Sequence, residues 1–172
     1  MGLEYIHLSL NHVAVLGIVF GFFVLLAGFV ARSKGATRVG LALLAISAIF
    51  AIPVYFTGET AEEVVENLPG FSDAITEQHE SSAVISFGLA IFSGCLAVVA
   101  LAFSRGTSKL SKLAVMATLV ISFVTGVAMV RTANLGGQIR HTEIRSGAKN
   151  TDSHVTGTDK GKTIKAEKDD DD

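Results

Sequence analysis

Charge is what most of this chain lacks. Of its 172 residues only 17% are Asp, Glu, Lys or Arg, against 49% hydrophobic. Mean hydropathy is +0.51. That balance excludes an ordinary water-soluble domain, and it excludes disorder through residues 1–145. Cysteine is almost missing, and Cys95 stands alone. One thiol makes no internal disulfide, no c-type haem attachment and no cysteine-based zinc site, so Cys95 reads as packing. No Gly-rich phosphate loop, Ser-His-Asp arrangement or nucleic-acid-binding stripe is visible, and no nucleic-acid partner is expected. No basic leader and no small-residue cleavage site precede the first apolar run. It reads as a retained helix, not a signal peptide.

Four apolar runs are present, at about 12–31, 38–57, 82–103 and 110–130. Each has the roughly 20 residues that carry a helix across a hydrocarbon core. The expected fold is all-α: an integral membrane four-helix up-down bundle forming one domain over 1–145. Residues 146–172 have few large apolar side chains and read as a disordered polar tail, with His154 solvated.

The loops set the orientation. The 31–38 loop carries Arg32, Lys34 and Arg38, and the 104–112 loop carries Arg105, Lys109 and Lys112. The 58–80 stretch has neither Lys nor Arg, but has Glu59, Glu62, Glu63, Glu66, Asp73, Glu77 and Glu80. By the positive-inside rule both basic loops face the cytoplasm. The protein is therefore expected to be multi-pass in a bacterial inner (plasma) membrane, N-out and C-out, with the acidic stretch on the periplasmic side. Arg140 and Arg145 weaken this bias without reversing it.

The two hairpins read as parallel repeats. His12 with Phe20-Gly21 matches His79 with Phe87-Gly88 at an offset of 67, which Arg38 and Arg105 keep. Chance likeness between runs of similar composition is the competing reading. Between the hairpins, Glu59, Glu62, Glu63 and Glu66 share one arc, opposite Ala61, Val64, Val65 and Leu68. That is an amphipathic turn or two, stopped by Pro69-Gly70. Ser72 then reads as an N-cap, with Asp73 in the first turn.

Histidines carry the functional signal. His7, His12, His79 and His141 fall at or just beyond run ends, all on one side of the membrane. A polar ring there is costly unless it binds something or stays wet. His12 and His79 open the first and third helices, which are diagonal neighbours in an up-down bundle. Two imidazoles at one depth on diagonal helices can ligate a haem iron from opposite faces. Ala83, Ser86 and Ala90 follow His79 on its face and would leave a slot for a flat ring. Leu16, Val19 and Phe23 would form the facing wall. His7, about 140° around the helix from His12, is expected to contribute little. The bland reading is an interfacial histidine with a wet edge, and for the pair the two readings stand level.

His141 has two readings. If the helix persists past Gly136-Gly137, then Arg131, Asn134, Gln138 and His141 share an arc facing the site. His141 would then be a third ligand or orient one, and Arg131 or Arg140 would bind a haem propionate. If the glycines break the helix, the segment is a surface loop. The glutamates open a competing chemistry. With His12, His79 and His141 they could bind a divalent metal, although no Glu-x-x-His pair of a di-iron bundle is present. More plainly they are a solvated acidic patch at 59–66. Such a patch would attract a basic redox partner, such as a periplasmic cytochrome.

Ile6-His7-Leu8-Ser9-Leu10-Asn11-His12 resembles the "IHPxLVHFP" opening of a widespread bacterial family of four-helix membrane proteins known only as a domain of unknown function. Phe56-Thr57-Gly58 resembles that family's second-helix end, His79 falls on its third-helix histidine, and Gly136-Gly137-Gln138-Ile139-Arg140-His141 resembles its "GGxLVYxHG" close. The likeness covers about residues 5–145. The proline after the first histidine and the "FP" after the second are absent, and the glutamate-rich 59–67 stretch is inserted. Members fused to Rieske-type or c-type cytochrome modules imply a place in electron transfer. The expected function is a membrane b-type haem protein passing electrons between a membrane quinol or oxidoreductase and a periplasmic partner. A divalent-metal-handling protein and a cofactor-free accessory subunit are the alternatives.

Overall fold

The computed structural model describes residues 2–104 and 109–145. Arg105 and the tail from 146 onward, with His154, lie outside the described residues. The described chain is helical throughout: α1 (Leu3–Val30), α2 (Lys34–Phe56), α3 (Gly58–Glu66), α4 (Asp73–Phe103) and α5 (Lys109–Arg140), then a 3-10 turn at Thr142–Ile144. Four of these, α1, α2, α4 and α5, are long and apolar enough to cross a membrane. A helix satisfies its own backbone polar groups, which hydrocarbon cannot do.

The helices outrun the apolar runs. α1 starts at Leu3, not near 12, so His7 and His12 both lie on it. α4 starts at Asp73 and carries His79 in its second turn. α5 continues through Gly136-Gly137 to Arg140, which resolves the open reading of that segment. Hydropathy registers only the part of a helix that lies in hydrocarbon; the polar ends remain helical because their backbone hydrogen bonds do. Ser33 caps α2 by accepting from the Ala36 N–H at 3.3 Å. The tight α1–α2 turn places Arg32 at φ 53. α3 is the expected amphipathic helix and lies against α1. Ser72 stands at the N-cap of α4 in extended conformation, but its side chain makes no cap hydrogen bond.

α1 packs on α2 and α5, and α4 packs on the same two, so α1 and α4 are diagonal. The buried positions of α1 are Ala14, Ile18, Gly21, Leu25 and Gly28. Their spacing alternates four and three, the seam of shallow-angle helix packing. An offset of 72 lays them on Ser86, Ala90, Ser93, Ala97 and Ala100, all buried on α4. An offset of 78 lays Gly40, Leu44, Ser47 and Ala51 of α2 on Thr118, Ser122, Thr125 and Met129 of α5, again all buried. The hairpins therefore do match in their packing seams, but not at 67. That offset pairs buried Gly21 with exposed Gly88.

Small residues hold the seam together. Lipid offers no hydrophobic drive between helices, so close backbone approach and hydrogen bonds must do it. Gly17 and Gly21 face Ser47 and Leu44 of α2, as their GxxxG spacing suggests. Thr125 Oγ1 reaches across to the Leu89 carbonyl at 3.3 Å and also donates within α5 to Ile121 at 2.8 Å. Large side chains point outward instead, among them Phe20, Phe23, Ile49, Phe56 and Ile85. That apolar exterior is what a bilayer requires.

Candidate functional site

Continued outward, each packing seam ends in a polar group. On α1 the seam 28–21–14 runs to Asn11 and His7, and on α4 the seam 100–93–86 runs to His79. On α2 and α5 the seams 40–47 and 118–125 run to Val54 and Thr132. The four ends meet in pairs. His7 Nδ1 lies 2.9 Å from the Val54 carbonyl, and His79 Nδ1 lies 3.0 Å from the Thr132 carbonyl. A carbonyl only accepts, so each Nδ1 carries a proton, and in the neutral ring Nε2 then keeps its lone pair. Neither Nε2 has a protein partner among the described residues.

Glycine makes this approach feasible. Four residues past Val54 is Gly58, and four past Thr132 is Gly136. A Cβ on Gly136 would come within 3.0 Å of His79 Cε1, and one on Gly58 within 3.6 Å of His7 Cε1. Val54 is in the last turn of α2, where carbonyls run out of helical donors; its carbonyl accepts from His7 and, at 3.4 Å, from Thr57 Oγ1. Each hairpin thus carries a histidine, a carbonyl and a glycine in the same relation. Ser82 and Ser86 brace the second set through Thr132 Oγ1, at 2.7 and 2.8 Å. Asn11 Oδ1, one turn inward of His7, is buried without a protein partner among the described residues.

The chain matches no protein-family model, no curated protein and no solved structure.

The two histidines are close enough for their charges to interact, and Glu80 is a charged neighbour of His79. Glu62 of α3 is close enough to Glu80 for the two carboxyls to interact. His7, His79, Glu62 and Glu80 thus lie on three helices at this end of the bundle, without three of them converging as a metal site would need.

The sequence-predicted residues are distributed differently. His79 is at the site. His12 is exposed, and its Nδ1 turns back to the Leu8 carbonyl of its own helix at 3.2 Å. One position off the inward seam is 100° of rotation, so on α1 it is His7, and not the expected His12, that faces inward. The supposed wall faces outward as well, with Leu16 and Phe23 exposed. Of the small residues beside His79, Ser86 and Ala90 are buried, and Ser86 bonds Thr132 of α5 at 2.8 Å. Arg131 and Arg140 are exposed. His141 is exposed and pairs with Glu143 at 2.9 Å. Asn134 and Gln138 bond each other on the surface. The Arg131–His141 stripe is helical as far as Arg140, yet it faces away from the histidine pair. The inward positions of that helix end are Thr132 and Gly136.

Arg145 also escaped the sequence reading. Its Nε donates to the Gln138 carbonyl at 2.8 Å, and its Nη2 donates to the Ile139 and Gly70 carbonyls at 3.0 and 2.8 Å. It closes the end of α5 and ties it to the Pro69-Gly70 turn, where Gly70 adopts φ 85.

Glu62 gives a pH prediction. Burial, then the hydrogen bond to Glu80 and the charges of Glu80, Glu66 and Glu59, push its carboxyl from 4.5 to about 7. Between those values the folded protein holds a proton that the unfolded chain has released, so stability falls as pH rises. Below the window both states are protonated, and above it both are ionised. Glu62→Gln should raise Tm at pH 8 relative to the native protein and change it little at pH 4. The group is partly exposed, so screening limits the gain to about 1–2 °C. An equal shift at both pH values in thermal melts would refute the assignment.

Proposed function

We propose that this chain is a membrane b-type haem protein that passes single electrons, with His7 and His79 as its axial ligands. The observation that supports this most is the donor set: two imidazoles on diagonal helices, each fixed through Nδ1–H to a main-chain carbonyl and each with Nε2 free. A second-sphere carbonyl of this kind sets the tautomer and raises the basicity of a ligating histidine. A porphyrin supplies four of the iron's ligands, so two protein imidazoles suffice. A zinc site takes three or four protein ligands, and among the described residues no three of His, Cys, Asp and Glu converge. The donor count therefore favours haem over the divalent-metal alternative.

When bound, haem would supply one-electron redox chemistry. The chain's own residues do the rest. Val54 and Thr132 orient the rings, Gly58 and Gly136 admit them, and Ser82 and Ser86 fix Thr132. The electron source in this reading is a membrane quinol or oxidoreductase. Glu62 is turned toward Glu80, which leaves Glu59, Glu63 and Glu66 exposed on α3 to meet a basic periplasmic partner such as a cytochrome. Detergent-purified protein, expressed with ample haem, should show a Soret band that shifts on dithionite reduction. Native protein without Soret absorbance ends this reading.

The reading also places the chain in a bacterial inner membrane with the histidine end outward. Arg32, Lys34, Lys109 and Lys112 support that orientation by the positive-inside rule. A reporter fused after Lys34 should be cytoplasmic, and one fused after Gly147 periplasmic. A cytoplasmic signal at the C-terminal fusion would reverse the orientation and turn the histidines inward.

A further inference from the structure

The opposite end of the bundle holds a second candidate site. Arg38, in the second turn of α2, donates from Nε to Ser104 Oγ at 3.2 Å and from Nη2 to the Ser104 carbonyl at 3.3 Å. Ser104 Oγ donates in turn to the Leu101 carbonyl at 2.7 Å. The guanidinium is thereby fixed across the α2–α4 contact. Its other N–H groups have no protein acceptor among the described residues. Beside it is a cavity of about 380 Å³ lined by Arg38, Leu101, Ala102 and Ser104. One part of that lining is cationic and hydroxylic, and the other is aliphatic.

The location makes this chemistry specific. Arg38 and Ser104 stand at the ends of two membrane-crossing helices, at the depth where lipid headgroups meet hydrocarbon. Arg32, Lys34, Lys109 and Lys112 belong to the same end, so the local field attracts anions. A guanidinium fork matches two oxygens of a phosphate better than an ammonium does. Its fixation by Ser104 removes part of the ordering cost of binding. We propose that this cavity binds the phosphodiester headgroup of an anionic phospholipid, with Arg38 on the phosphate and Leu101 and Ala102 against the glycerol and upper acyl chain. Inorganic phosphate shares the charge but gains nothing from the aliphatic wall. A zwitterionic lipid shares the wall but brings a cationic amine into a basic neighbourhood.

Delipidated full-length protein in mild detergent provides the test, by native mass spectrometry and thermal melting. Phosphatidylglycerol should bind at least ten-fold more tightly than phosphatidylcholine and raise Tm, and millimolar inorganic phosphate should do neither. Arg38→Gln should abolish the preference and Ser104→Ala should weaken it several-fold. Lys34→Gln, at the same end but outside the cavity lining, should retain it. Where Arg38→Gln fails to fold, Arg38→Lys keeps the charge and loses the fork, and it should lose most of the preference. Equal binding of the two lipids overturns the proposal. So does an unchanged preference in the Arg38 and Ser104 variants. Stabilisation by inorganic phosphate alone would make this a soluble-anion site and not a lipid site.

Discussion

His7→Ala and His79→Ala are each expected to abolish haem binding or convert a low-spin spectrum to high-spin, while His12→Ala leaves the spectrum of the native protein. Bis-imidazole ligation has no spare ligand, and losing either histidine opens an axial position. The structure reverses what the sequence pattern suggests for α1, because His7 is on the inward seam and His12 is exposed. His141→Ala should also be silent, since that ring pairs with Glu143 on the surface. Absorption spectra of the four variants, at equal protein and haem, are the measurement. A high-spin shift in His12→Ala with none in His7→Ala would show that the inward seam does not select the ligand. Thermal melts separate ligand loss from misfolding, because His7→Ala also removes the closer of the two donors to the Val54 carbonyl.

Gly40→Ala should be among the most damaging single methyl groups in the bundle. A Cβ there would lie 2.5 Å from the Leu25 nitrogen and 2.6 Å from its Cα. Both are backbone atoms, so α1 and α2 must separate along their whole contact. Gly28 meets the Thr37 backbone in the same way from the opposite helix. Forced overpacking of this kind costs about 3 kcal/mol, or a Tm fall of roughly 6–12 °C at this chain length. Gly88→Ala and Gly126→Ala are the controls. Nothing lies within 4 Å of a Cβ at either position, and alanine is the better helix former. Detergent melts in which the Gly40 and Gly88 variants behave alike would contradict this packing.

Span number and the all-helical fold were legible because length and hydropathy alone decide them. Helix phase was not. α1 and α4 are apolar around their whole circumference, so periodic hydropathy points nowhere, and choosing between His7 and His12 requires the phase. A weaker signal was present: Ala14, Gly21 and Gly28 recur every seven residues, and one further step reaches His7. Ser86, Ser93 and Ala100 do the same for His79. Small residues mark the faces where membrane helices touch. The match at 67 aligned similar letters and not similar faces, and so brought forward the exposed His12 and not the inward-facing His7. Thr57-Gly58 and Gly136-Gly137 were visible as motifs. Their role was not, because it consists of a ring on one helix meeting a carbonyl on the next.

The ladder along α1 also fixes a distance. Gly28 and His7 are three heptads apart, about 31 Å at 1.5 Å per residue, which is close to one hydrocarbon thickness. In a bilayer crossed by these helices the histidine pair would stand at one electrical edge, with Arg38 and Ser104 at the other. On the proposed reading, an electron exchanged with a periplasmic donor or acceptor crosses almost none of the transmembrane field. One drawn from the cytoplasmic face crosses nearly all of it, about 2.3 kcal/mol for each 100 mV. On that reading the direction of electron entry is an energetic quantity, and polarised vesicles would report it as a voltage-dependent or voltage-independent degree of reduction.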